Sequence, residues 1–239
     1  MTRALTVMAA TLMVLPMLNA CSSAAPVQSD RNKSEAQASL PEVPQGAQVS
    51  ILALGDSLFA GYNIARRDAY PEQLEAGLRA RGINAAVVNA GVSGDTTAAG
   101  LQRLDFVLDG MDQAPQIAII ELGANDMLRG LSPQEAKDNL DTIMARFDSL
   151  GVPMILMGMR AAPNLGPQYA AAFDAIYPEL ADKYDAALVP LFVEPLLQDR
   201  SLVQADQLHP TADGVQAMVA HSIDTIAEAV RKAAAAPGG

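Results

Sequence analysis

The sequence predicts an α/β fold: a three-layer α/β/α sandwich on a five-stranded, mainly parallel sheet. Three features point there. Apolar runs and helical stretches alternate five times between residues 49 and 233, the pattern of consecutive β-α units. The first run, Val49 to Leu54, shows no polar alternation, so both its faces are covered, as in a sheet flanked by helices on either side. Polar, glycine-bearing turns follow the runs, at the carboxyl ends where open α/β sheets place their ligands.

Val49 to Leu54 is the first strand and Gly55-Asp56-Ser57-Leu58 its exit turn. Phe59-Ala60-Gly61-Tyr62 continues as a helical turn and a loop. Asp68 to Arg81 is predicted helical: Leu74 and Leu78 stand four apart, Pro71 is tolerated in the first turn, and Gly82 stops the helix. Ala85 to Asn89 is the second strand, Gly91 to Asp95 a loop, and Thr96 to Leu108 a helix. Gln116 to Leu122 reads as a central strand, with Gly123-Ala124-Asn125-Asp126 at its end. Ser132 caps and Pro133 opens a helix that runs to Leu150 and stops at Gly151. Pro153 to Met159 is the fourth strand, with Pro153 at its very start because proline cannot donate to a ladder. Gln168 to Tyr184 is a helix disturbed at Pro178. Ala187 to Phe192 is the last strand, and Val193 to His209 a loop region with a short turn at Glu194 to Leu197. Thr211 to Ala233 is the closing helix, leaving residues 234–239 as a frayed tail.

Composition narrows the function classes. The chain has 239 residues, 50% of them hydrophobic, enough for one well-cored domain. Its formal net charge of −11 argues against a general nucleic-acid surface. Tryptophan is absent and aromatic content is 4%, so no stacking platform for sugars or bases stands out. Two histidines and one cysteine leave little material for a zinc site, and no spaced acidic loop announces calcium. No metal and no cofactor is expected.

The first 48 residues have a different character. Met1-Thr2-Arg3 is a basic start and Ala4 to Leu18 an apolar run too short for a comfortable membrane span, the layout of a signal peptide over residues 1–20. Leu18-Asn19-Ala20-Cys21 resembles a bacterial lipobox, which implies cleavage before Cys21 and lipid attachment to it. An ordinary signal peptide that happens to contain a cysteine is the alternative. Cys21 is the only cysteine, so it forms no internal disulfide. Ser22 follows it, where an aspartate would be the usual inner-membrane retention signal, so the resemblance implies an outer-membrane lipoprotein on the periplasmic side of the envelope. Residues 21–47, rich in Ser, Ala, Gln and Pro, read as a flexible tether, and the folded domain is expected over residues 48–233.

Four polar blocks carry the chemistry: Gly55-Asp56-Ser57-Leu58, Asn89-Ala90-Gly91, Gly123-Ala124-Asn125-Asp126 and Asp206-Gln207-Leu208-His209-Pro210. In this order they resemble the four functional blocks of the GDSL esterases, the SGNH hydrolase superfamily, over residues 49 to 230. Gly55 to Tyr62, Gly91 to Thr97, and Met159-Arg160 followed by Pro163-Asn164-Leu165-Gly166 are similar to the periplasmic arylesterase and lysophospholipase-like acyl-thioesterase branch. The resemblance implies a flavodoxin-like sandwich and a serine hydrolase acting on small ester or thioester substrates with acyl chains, as a monomer or small homo-oligomer. Ser57 is then the nucleophile, and a serine hydroxyl needs a base in contact. His209, in a loop and braced by Pro210, is the candidate; His221 lies within the closing helix and reads as a packing residue. Asp206, three residues before His209, can orient the imidazole, cap the turn, or do both. The family pattern assigns the oxyanion hole to the backbone N–H groups of Ser57 and Gly91 and the side-chain amide of Asn125, although an Asx-type loop bond is the plainer role for Asn125. Asp56 and Asp126 are expected to be structural, and Asn89 to brace the Gly91 loop. A carbohydrate O-acetylesterase and a catalytically inactive tethered binding lipoprotein are the alternatives.

Overall fold

The computed structural model describes residues 43–235. The expected signal peptide, Cys21, the tether as far as residue 42 and residues 236–239 lie outside the described residues. Five strands, β1 (Val49–Gly55), β2 (Ala85–Gly91), β3 (Ile117–Glu121), β4 (Met154–Met157) and β5 (Ala187–Val189), form one sheet in the order β2-β1-β3-β4-β5. Every neighbouring pair is parallel, with Ile51 opposite both Val87 and Ile117.

Parallel strands need crossovers, and the helices supply them. They are α1 (Ser57–Ala60), α2 (Tyr70–Ala80), α3 (Thr97–Asp109), α4 (Ala124–Leu128), α5 (Pro133–Ser149), α6 (Pro167–Asp174), α7 (Ile176–Lys183), α8 (Glu194–Gln198) and α9 (Ala212–Ala235). The chain steps from β1 outward to β2, then back across β1 to β3 and onward. Right-handed crossovers therefore put α2 on one face and α3, α5 and α7 on the other. The packing agrees: α2 lies against α9, while α5 contacts α3, α6 and α7. Covered on both sides, β1, β3 and β4 are apolar throughout their middles, and Ile51, Leu52, Leu54, Ile119, Ile120 and Leu156 are wholly buried. The direction reverses between β1 and β3, and that is where such a sheet opens a crevice at its carboxyl edge.

Local departures from the sequence reading have identifiable causes. Ala69 is extended, so a 3₁₀ turn (Arg66–Asp68) precedes α2, which starts at Tyr70 rather than Asp68. The expected helix from Gln168 to Tyr184 is two helices meeting at Ala175; Pro178 has no N–H to offer the Asp174 carbonyl, so α6 stops there and α7 takes Pro178 into its first turn. The stretch Gly123 to Asp126 is helical from Ala124. The last strand ends at Val189, before Pro190. α9 runs to Ala235, so Ala234 and Ala235 belong to the helix and not to the tail.

Candidate active site

β1 brings the chain to the carboxyl edge at Gly55, and Asp56 turns it into α1 by accepting the Leu58 N–H on Oδ1 at 3.0 Å. Ser57 thereby takes the first helical position, where a backbone N–H has no partner within the helix. Phe59, wholly buried, fixes the orientation of this short helix: its ring stacks on Tyr70 at 5.1 Å, and Phe192 meets both rings edge-on. Gly91, at the end of β2, lies so close to α1 that any side chain would overlap the backbone of Phe59 and Ala60. The need for glycine here comes from this main-chain packing. Asn89 braces the same contact, donating from Nδ2 to the Phe59 carbonyl at 2.9 Å.

The other half of the site comes from the loop before α9. An antiparallel bridge between Val203 and Pro210 closes it, and Gln207 turns it with a left-handed φ of 63°. Asp206 folds the tip: Oδ1 accepts the N–H groups of Leu208 and His209, each at 3.0 Å. Its Oδ2 lies 2.7 Å from His209 Nδ1, and His209 Nε2 lies 2.9 Å from Ser57 Oγ. Bonds from His209 and the two amides hold the Asp206 carboxyl down at about 2, so it is ionised and only accepts. Nδ1 must therefore carry the imidazole proton, leaving Nε2 to accept from the serine hydroxyl. Asp206 thus both caps the turn and orients the imidazole. The Tyr62 ring stacks on the imidazole at 4.3 Å. Gln204 ties the two loops together, donating to the carbonyls of Tyr62 at 2.9 Å and Pro210 at 2.7 Å while accepting from Asn63 Nδ2 at 3.1 Å. His221 is elsewhere, on α9, donating to the Leu191 carbonyl at 3.1 Å.

Asn125, the second residue of α4, approaches from β3. Gly123 before it has a φ of 118°, and a side chain there would collide with the Tyr177 hydroxyl, which donates to the Leu122 carbonyl at 3.0 Å. Asn125 Nδ2 donates to Asp56 Oδ2 and to the Asp95 carbonyl, both at 2.9 Å. The Gly91 N–H donates to Asn89 Oδ1 at 2.9 Å. Two of the three expected oxyanion donors are thus engaged by internal acceptors. Asp126 is structural, capping α3 through the Thr97 N–H at 2.8 Å and its hydroxyl at 2.6 Å.

The sequence reading passed over Glu121, the last residue of β3. It is wholly buried and accepts the Asp56 N–H on Oε2 at 3.1 Å. Burial, reinforced by the charge of Asp56, pushes its carboxyl well above the usual range and favours the neutral acid, and its Oε1 has no hydrogen-bond partner. A glutamate ending an apolar strand is the only trace of this in the sequence. The stability consequence has a definite sign. Above the ordinary value of 4.5 the unfolded chain has lost this proton while the folded chain keeps it, so the residue makes stability fall as pH rises. Glu121→Gln removes that slope. Its melting temperature relative to the wild type should climb as pH is raised above the ordinary carboxylate value, as thermal melts at matched ionic strength will report; a difference flat with pH would mean that Glu121 is ionised in the fold.

A cavity of about 490 Å³ opens beside Ser57 and His209. Leu58, Met127, Leu128, Met159, Val193 and Leu196 give it aliphatic walls. Among the described residues no group of three His, Cys, Asp or Glu side chains is placed to hold a metal ion.

Residues 53–217 match the model of the GDSL-like Lipase/Acylhydrolase family. The chain belongs to this family. The matched span of the acylhydrolase holds all four polar blocks, from Gly55 to Pro210. It is 38% identical over 164 residues to the arylesterase of Vibrio mimicus, covering 69% of this chain and 81% of that protein. It is likewise 38% identical to the "Thioesterase 1/protease 1/lysophospholipase L1" of Escherichia coli K12, covering 76% of that protein. Among solved structures it resembles AlinE4, described as an SGNH-hydrolase family esterase, with 54% identity and a TM-score of 0.67 over 77% of this chain and 98% of that one.

Proposed function

We propose that this acylhydrolase cleaves small carboxylic esters and thioesters through an acyl-enzyme formed on Ser57. The observation that carries this reading is the unbroken contact from Asp206 through His209 to Ser57 Oγ, 2.7 and 2.9 Å long. Ser57 Oγ attacks the carbonyl carbon as His209 Nε2 takes its proton, and the ionised Asp206 stabilises the imidazolium. The oxyanion of the tetrahedral intermediate is met by the Ser57 N–H, with Gly91 N–H and Asn125 Nδ2 turning part of their bonding toward it. His209 then protonates the departing alcohol or thiol. Water, activated by the same imidazole, releases the acid. The aliphatic cavity favours substrates with an acyl chain over acetylated sugars. Ser57→Ala should abolish labelling by a fluorophosphonate probe; undiminished labelling of that variant would place the nucleophile elsewhere.

The apolar run before Cys21 supports an extracytoplasmic enzyme, and the lipobox-like Leu18-Asn19-Ala20-Cys21 supports an outer-membrane lipoprotein tethered by residues 21–47. One acyl chain anchors marginally and two or more hold firmly, so a multiply acylated Cys21 keeps the enzyme on the membrane through repeated washing. Intact-mass measurement of detergent-extracted protein tests this. The expected mature chain begins at Cys21 with added acyl mass; a mature chain that begins elsewhere without it would leave a soluble periplasmic esterase.

A further inference from the structure

The cavity beside Ser57 has a cationic edge that hydrolysis of a neutral ester does not use. Arg160, exposed just past the carboxyl end of β4, lines the cavity, and so does Arg200, in the 3₁₀ turn after α8. Arg160 makes no ion pair and no side-chain hydrogen bond among the described residues, whereas every other described arginine and lysine has a carboxylate or carbonyl partner. Arg200 is held only by neutral groups, the Gln207 carbonyl at 3.3 Å and Gln207 Oε1 at 2.7 Å. The one acidic residue on the cavity wall is Asp56, which is buried behind Ser57 and whose carboxyl already accepts from Leu58 and Asn125. In a chain of net charge −11, two uncompensated guanidinium groups therefore share one cavity with the candidate nucleophile.

We propose that Arg160, assisted by Arg200, binds a phosphate carried on the leaving-group side of the substrate. The inference rests on the reading of Ser57 as the nucleophile of an acyl transfer. The aliphatic walls take the acyl chain, so the anion belongs to the alcohol or thiol portion. A phosphate carries more charge than a carboxylate and offers oxygens to two guanidinium groups at once, and the planar arginine fork is suited to it. Two chemical sources share this group: a thioester of a phosphorylated thiol and a glycerol ester bearing a phosphate head.

Matched substrate pairs test the idea and separate the sources. One pair is octanoyl-4′-phosphopantetheine against octanoyl-pantetheine; the other is octanoyl-glycerol-3-phosphate against monooctanoylglycerol. For each, the readout is the ratio of kcat/KM for the phosphorylated member to that for its unphosphorylated twin. Arg160→Ala and Arg160→Gln should each lower this ratio about tenfold or more, mainly through KM, and Arg200→Ala by less. In the wild type the ratio should fall as salt is raised. Arg231→Ala, on α9, should leave it in place. A drop confined to one pair supports the proposal and names the source. A ratio unchanged in Arg160→Ala, Arg160→Gln and the Arg160→Ala/Arg200→Ala double variant overturns it. Turnover of the unphosphorylated members that survives Ser57→Ala would instead overturn the acyl-enzyme reading, so the two failures are told apart.

Discussion

Replacing His209 with alanine is expected to lower kcat by about 10⁴- to 10⁶-fold without unfolding the protein. The imidazole is 12% exposed and rests against Tyr62, so its loss removes little core packing. What goes is the imidazole that accepts from Ser57 Oγ at 2.9 Å; the other acceptor in reach, Asp56 Oδ1, is 3.5 Å away and already takes the Leu58 N–H. Asp206→Asn separates orientation from basicity. The amide oxygen still accepts the Leu208 and His209 N–H groups, so the loop keeps its shape. Its NH₂ group faces His209 Nδ1 and forces the proton onto Nε2, the tautomer that cannot accept from serine. A loss of about 10⁴ is expected from that change alone. The Ser57→Ala/His209→Ala double variant should be no slower than the worse single one, because residues that act as one unit are not additive. His221→Ala should retain wild-type turnover. Steady-state kinetics on one chromogenic ester, with circular dichroism as the folding check, covers the series; equal losses in the His209 and His221 variants would unseat His209 as the base.

Asn125→Ala should lower kcat by about 10² to 10³ with a smaller change in KM. The split matters because Asn125 has two possible duties. If its amide serves the oxyanion, the bond strengthens as charge develops and the loss falls on kcat. In the resting state, however, the amide bonds Asp56 and the Asp95 carbonyl, and Asp95 is in turn held by Arg103 Nε at 2.6 Å, while Arg103 Nη2 reaches the Gly55 carbonyl at 3.0 Å. If Asn125 only tied this frame together, its removal would loosen the seat of Ser57, lowering stability and raising KM. A variant that melts much earlier and loses affinity while kcat stays level would assign it to the frame.

Much of this architecture could be read before the fold was seen. The unalternating apolar run at 49–54 signalled a strand covered on both faces and the run at 116–122 a central strand, and the polar blocks after them landed on either side of the reversal between β1 and β3. Ser57, Asp206 and His209 were chosen by residue type, order and resemblance, and the fold brings them into contact. What stayed hidden depends on pairings between distant residues. Gln204 looks like any loop glutamine, yet it reaches across 142 residues to the Tyr62 carbonyl. Glu121 looks like the polar end of a strand, and only its complete burial in the fold, beside Asp56, favours the neutral acid. Gly91 looks like any loop glycine, yet a side chain there would overlap the backbone of α1. Periodicity reports which face an element buries; it carries no record of which residue is buried next to it.

The contact between Ser57 and His209 spans 152 positions of the chain. A chain made from its amino terminus onward therefore lays down the serine long before the residue that activates it. Until the loop closed by Val203 and Pro210 reaches the carboxyl edge, Ser57 is an ordinary alcohol. The nascent polypeptide is in this sense its own zymogen, silent because the stretch carrying His209 has not yet been made.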